Sequence, residues 1–192
     1  DPASRKRARI LDDDEVRAFW DARTHRVYVP MLKFTLVKGQ RFDNIRTLCW
    51  KQIDLKKRLW SISAETFKSG KPHTVPLSAM AVTILEDLPH WDSGDYVFTT
   101  QGGAKPFGNV GHEHARLLAE TGTSGWHRHD LRRTAGTLLQ REGCSMEIVA
   151  ALLGHKLPGV TPIYLRHDYM KEKREAVEKL SETVVKITLH KN

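Results

Sequence analysis

Two cysteines, Cys49 and Cys144, are all that 192 residues carry. No disulfide framework can hold such a chain, and both thiols read as small core residues in a reducing compartment. Long apolar runs are missing as well. The longest, Val27 to Val37, is interrupted by Pro30 and Lys33 and is too short and too broken to span a bilayer. No basic-then-apolar leader is visible, so nothing marks the chain for secretion. Also absent are the Gly-x-x-x-x-Gly-Lys-Ser/Thr loop, the Gly-x-Gly-x-x-Gly turn, the Gly-x-Ser-x-Gly elbow, Cys-x-x-Cys and His-Glu-x-x-His. Their absence removes nucleotide loops, the hydrolase nucleophile and the common zinc sites. His112-Glu113-His114 has metal-like composition, but residues i and i+2 of a helix do not face each other. No metal and no cofactor are expected.

What is present is charge of one sign. Lysine and arginine number 31 against 23 acidic residues, a formal net charge of +8. That balance favours polyanions, with nucleic acid first and an anionic membrane second. At 40% hydrophobic and 28% charged, the chain reads as soluble and globular. The run Arg5-Lys6-Arg7-Ala8-Arg9 is either a solvated tail or a linker tracking a phosphate backbone. A start at Asp1-Pro2-Ala3-Ser4 reads as a piece cut from something longer, its first residues a cloning remnant.

Periodicity gives the elements. Asp12 is an N-cap with Glu15 three residues on and Leu11 and Val16 as a staple. Val27 to Lys38 reads as a buried helix ending near Gly39, and Phe42 to Leu48 as a short one. Leu59 to Ser63 and Thr74 to Leu77 alternate around Ser69-Gly70-Lys71-Pro72, which predicts a hairpin, three-stranded if Gln52 to Asp54 joins. Pro76 predicts an edge. Helices follow over 78–88, 112–120, 130–142, 145–153 and from 168 past 180, with Gly143 and Gly154 as stops. Tyr96 to Phe98 is a short strand or extended segment. The fold class is α+β, mostly α, a helical domain with a small antiparallel sheet. Residues 1–10 are remnant and linker, 11–180 one domain, and 181–192 a C-terminal tail.

Breaking a phosphodiester without a metal needs fixed cations on the non-bridging oxygens, an acid for the leaving alkoxide and a nucleophile that loses a proton. Arginine suits the first task because its planar fork grips two oxygens and stays charged. The chain holds such a kit. Arg41 stands at a helix start and Lys68 in the hairpin. His129 and Arg132 lie at i and i+3, His155 follows a glycine-ended helix, and Tyr164 comes nine residues later.

These spacings carry a resemblance. Arg41 through Leu48-Cys49-Trp50-Lys51-Gln52-Ile53-Asp54-Leu55 resembles the first-arginine box of the tyrosine recombinases (phage integrases), and Lys68 through Pro76-Leu77-Ser78 their lysine hairpin. His129-Asp130-Leu131-Arg132-Arg133-Thr134 resembles the His-x-x-Arg box. Leu153-Gly154-His155 through Ile163-Tyr164 resembles the nucleophile segment. With Arg166-His167-Asp168-Tyr169, the details are most similar to prophage and genomic-island integrases. The resemblance runs from about Arg9 to Leu180.

It implies a catalytic domain for site-specific DNA recombination, the integration and excision of mobile DNA, through a 3′-phosphotyrosyl intermediate. Tyr164 would be the nucleophile, Arg41 and Arg132 the phosphate clamps, and Lys68 the general acid. His129 would assist proton transfer, and His155 would hydrogen-bond the phosphate. The implied partner is double-stranded DNA, bound by a homo-tetramer in the full-length protein. The isolated fragment fits a monomer equally well, and the tail from Ser181, with Val184, Val185, Ile187 and Leu189, is a candidate for docking in trans. The implied setting is the bacterial cytoplasm, at the nucleoid when acting, with no membrane. Asn44 departs from the family, which usually has an acid three residues after the first arginine. A type IB topoisomerase and a catalytically weak DNA-binding module are the alternatives. Taken singly, each residue has an ordinary explanation: His155 could simply cap its helix, and Tyr169 competes with Tyr164 but reads as packing.

Overall fold

The computed structural model describes residues 9–65, 70–155 and 168–189. Lys68, Tyr164, the Pro158-Gly159 turn and most of the basic run lie outside the described residues. Among the described residues, eight α-helices and three strands follow in the order α1 (Asp13–Asp21), α2 (Tyr28–Lys38), α3 (Phe42–Arg46), β1 (Ile53–Asp54), β2 (Leu59–Ile62), β3 (His73–Pro76), α4 (Ala79–Glu86), α5 (Val110–Thr121), α6 (Arg128–Arg141), α7 (Met146–Leu153) and α8 (Met170–Leu189).

The local signals act as expected. Asp12 caps α1 through a full capping box with Glu15. Ser78 and Ser145 cap α4 and α7 by accepting the backbone N–H three residues on. α3 ends at Arg46 rather than at Leu48, because the chain leaves the helix to pair across the molecule: the Leu48 carbonyl accepts from Val97 N–H at 2.9 Å. α6 begins earlier than the sequence pattern suggests, which places His129 inside the helix. Both cysteines, expected in the core, are half-buried and free; Cys49 lies where the chain turns from α3 toward the sheet.

α2 is the central helix. It is apolar almost all round, and nine of its eleven residues are buried. α4, α6, α3, α1 and α8 pack against it. Each fully buried side chain of the size of Leu32 or Phe34 contributes about 1.5–3 kcal/mol of apolar burial. α8 does not stop at residue 180. Its buried residues Lys173, Ala176, Val177, Leu180, Ser181, Val184 and Ile187 recur at helical spacing through Leu189. Residues 181–189 of the segment read as a tail therefore belong to the second half of a helix packed against its own chain. Arg17 of α1 fastens it, Nε donating to the Ile187 carbonyl at 2.8 Å.

The sheet is antiparallel in the order β1-β2-β3, with Trp60 opposite Val75 and Ile62 opposite His73. β3 is the edge that Pro76 foretells. Its outward carbonyls are covered by lysines instead of a strand. Lys173 Nζ of α8 donates to the Thr74 carbonyl at 3.2 Å, and Lys38 Nζ of α2 donates to that of Pro76. Both lysines are buried, and a covered edge cannot recruit another strand.

Candidate active site

Arg132, on the second turn of α6, is 3% exposed. Its Nη1 donates to the Gly39 carbonyl at 2.9 Å, and its Nη2 to the Leu153 carbonyl at 2.8 Å. Nη2 also lies 2.7 Å from His155 Nε2. One guanidinium thus joins the end of α2, the end of α7 and the residue just past α7. Gly39 makes the approach possible. It sits at φ 60°, and a Cβ there would meet Leu153 Cδ2 at 2.6 Å.

The α7 terminus is a socket for donors. A helix leaves its last four carbonyls without intrahelical partners. Here the Ala150 carbonyl takes the backbone N–H of His155, and that of Leu153 takes Arg132. The Leu152 carbonyl takes Gln40 Nε2 at 2.8 Å and His73 Nε2 at 3.0 Å. A cation does cap α7, as the dipole favours, but it is Arg132 and not His155.

Proton positions at His155 follow from this geometry. A guanidinium only donates, so His155 Nε2 accepts, and the neutral ring carries its proton on Nδ1. Burial pushes His155 down to about 4, with the positive charges of Arg132, Arg41 and His129 adding to the effect. Burial first and Arg41 second bring Arg132 down to about 10. His129 is also lowered, by burial and then by Arg133 and Arg132, while Asp130 opposes the shift. Asp130 is committed elsewhere: one carboxylate oxygen accepts the His127 N–H at 2.8 Å and the other Arg133 Nη1 at 2.9 Å. Arg41 and Arg132 therefore cast one positive field over the neutral rings of His129 and His155, which a bound anion would relieve.

Arg41 occupies the N-cap position of α3, directly after Gly39-Gln40, and its side chain makes no capping hydrogen bond. Asn44, one turn on, has its side-chain Nδ2 buried with no hydrogen-bond partner among the described residues. Tyr169 sits at φ 53° just before α8, and its carbonyl accepts the Lys173 N–H at 2.8 Å. Among the described residues no group of three or more His, Cys, Asp or Glu is arranged to hold a metal ion, and no helix is long and apolar enough to cross a membrane. His114 of the metal-like triplet is buried in a hydrogen bond with Tyr28, its Nδ1 3.0 Å from the phenol oxygen.

A family model for the phage integrase family matches residues 9–171. The chain belongs to the phage integrase family. Among curated members, the prophage integrase IntA of Escherichia coli (strain K12) is 31% identical over 133 residues, which is 67% of this chain and 32% of that protein. The integrase of Shigella phage Sf6 is 26% identical over 155 residues, covering 77% of this chain and 38% of that one. The chain thus spans about a third of the length of these relatives. The fold is similar to that of an integrase from mycobacterium phage Brujita, with a TM-score of 0.70, 20% identity, and coverage of 97% of this chain and 65% of that one. A lambda integrase dimer bound to a COC′ core site matches with a TM-score of 0.64 at 21% identity, over 88% of this chain and 50% of that one.

In this phage integrase domain, Gln40 and His73 are the site neighbours that sequence reasoning passed over. Both lie inside segments it singled out. The signal for His73 was alternation: it shares an inward face of β3 with Val75, and a histidine aimed inward needs a polar partner.

Proposed function

We propose that this chain is the catalytic domain of a site-specific DNA recombinase that integrates or excises mobile DNA. The observation that carries the reading is the Arg132 cluster. A buried guanidinium sits on two backbone carbonyls and a neutral imidazole, with Arg41 adding positive field and no carboxylate paired to either Arg132 or His155 among the described residues. Such a lining suits an anion, and a preorganised cation needs no reorganisation when charge develops on a phosphate.

In this reading Tyr164 Oη attacks the scissile phosphorus, a tyrosyl–phosphate bond forms, and the P–O5′ bond breaks. Lys68 delivers a proton to the departing 5′ oxygen. Arg41 and Arg132 hold the non-bridging oxygens, His155 donates through Nδ1–H, and His129 assists the movement of the phenolic proton. Attack by a 5′-hydroxyl on the phosphotyrosyl bond reverses the sequence. The phosphodiester energy is conserved, and no nucleotide is consumed. Double-stranded DNA is the partner, with a homo-tetramer as the working assembly of the full-length protein in the bacterial cytoplasm.

A pool of nicked duplexes with randomised core sequence tests the assignment. Covalent adduct that survives denaturation should form with the chain as it stands and disappear in Tyr164→Phe. Adduct retained in that variant, or mapped to Tyr169, overturns the nucleophile. Relaxation of supercoiled plasmid without sequence preference, in place of selective capture from the pool, overturns site specificity.

A further inference from the structure

We infer that His73 is a positioning residue for the phosphate-binding groups, fixing the end of α7 through the Leu152 carbonyl so that Leu153 and His155 hold Arg132 in place. The inference rests on the proposed strand-cleavage reading for its catalytic consequence, although its structural half stands independently.

The geometry is specific. His73 is the first residue of β3 and is buried. Because a carbonyl oxygen only accepts, the contact of 3.0 Å with Leu152 requires the proton on His73 Nε2. Burial keeps this ring at about 4 with Lys173, Arg132 and Arg41 opposing its protonation, so it serves as a neutral donor throughout the ordinary pH range. The Leu152 carbonyl also receives Gln40 Nε2 at 2.8 Å. Gln40 comes from the turn after α2 and His73 from the sheet. Two donors from separate elements fix where that carbonyl points, while either alone would leave it free to swing. The adjoining carbonyl, of Leu153, is an acceptor for Arg132, and His155 is two residues farther along. A shift at Leu152 is therefore transmitted directly to both Arg132 contacts. It is the sheet, through His73, that sets the position of the helix end bearing the imidazole.

His73→Leu and His73→Gln separate positioning from mere stability. Leucine removes the donor but leaves Leu152 satisfied by Gln40, so the fold should persist. Glutamine restores an amide donor of comparable reach. Nitrogen-15 imidazole NMR on the whole chain should show His155 as the Nδ1–H tautomer titrating near 4. In His73→Leu its midpoint should climb toward the ordinary histidine value as the Arg132 contact loosens, and in His73→Gln it should stay put. Single-turnover adduct formation on the most reactive duplex from the nicked pool should fall by about 10- to 100-fold in His73→Leu. DNA affinity should change by less than about twofold, and His73→Gln should lie within about threefold of the parent rate. An unchanged His155 titration and an unchanged rate in His73→Leu overturn the inference. So does failure of glutamine to rescue. If the titration moves as expected but the parent chain forms no adduct on any duplex, positioning stands and the strand-cleavage reading falls.

Discussion

Arg132 and Lys38 are both cations buried in this molecule without an ion pair among the described residues, yet their surroundings treat them differently. Arg132 gives hydrogen bonds to two carbonyls, lies against His155, and is brought only to about 10. Lys38, fully buried, gives its hydrogen bond to the Pro76 carbonyl and is pulled by burial down to about 7, with Glu178 opposing. Part of the difference is the residue type, since a guanidinium is more weakly hydrated and holds its proton harder. The rest is the acceptor. One of Arg132's carbonyls closes a helix, where aligned peptide dipoles add negative potential. The carbonyl that takes Lys38 belongs to an edge strand, and sheets have little net dipole. A helix end can keep a buried charge ready for a substrate, whereas a strand edge uses a lysine chiefly as a cover.

The comparison is broken most severely at Arg132. Arg132→Lys keeps a positive charge but cannot reach three acceptors in diverging directions. Adduct formation should fall by about 100- to 1,000-fold. Stability should drop by about 1–3 kcal/mol for each carbonyl left unpaired, read from denaturant unfolding. Near-normal cleavage in this variant would mean that charge alone suffices and that the helix-end geometry is irrelevant.

Lys38 sharpens the other side through pH. Its folded value, about 7, lies below its ordinary 10.5. Between those values the unfolded chain binds a proton that the folded chain has released, so stability should rise with pH across that window. Lys38→Met removes the titration at nearly constant volume. The parent should gain on this variant by on the order of 2–4 kcal/mol as pH climbs from neutral toward 10. Parallel stability curves for the two proteins would show that Lys38 keeps its charge in the fold, and the contrast with Arg132 would vanish.

Much of this architecture was legible in residue order. Asp12 with Glu15, Gly39 and Gly154 marked helix ends, Pro76 marked the edge strand, and the His129–Arg132 spacing marked one turn of α6. What the residues hid was long-range. Nothing local says that Arg132 will cap α7, because the Leu153 carbonyl is 21 positions away. Nor does local pattern announce that His73 and Gln40 share one acceptor, or that Lys38 and Lys173 cover β3. Such donors answer to carbonyls that only the packed fold brings near, and hydrophobic periodicity is blind to them. The end of α8 was missed for a related reason: Val184 and Ile187 follow a helical spacing, but only packing against α1 decides that they belong inside.

The smallest expected effect lies at Asn44. It occupies the first turn of α3, three residues after Arg41, and its side-chain nitrogen is buried without a hydrogen-bond partner among the described residues. Asn44→Asp replaces that donor with an acceptor of almost the same shape. The new charge would lie near a helix N-terminus and one turn from a guanidinium, each a favourable placement of roughly 0.3–1 kcal/mol. The melting temperature should rise slightly, and adduct formation should increase by about two- to tenfold as Arg41 is held more firmly. Both should be measured at low and high salt, since the electrostatic share is the part that screening removes. A fall in adduct with a rise in stability would place the carboxylate in competition with the phosphate for Arg41. That would make the first arginine, unlike Arg132, a clamp whose grip an added carboxylate weakens.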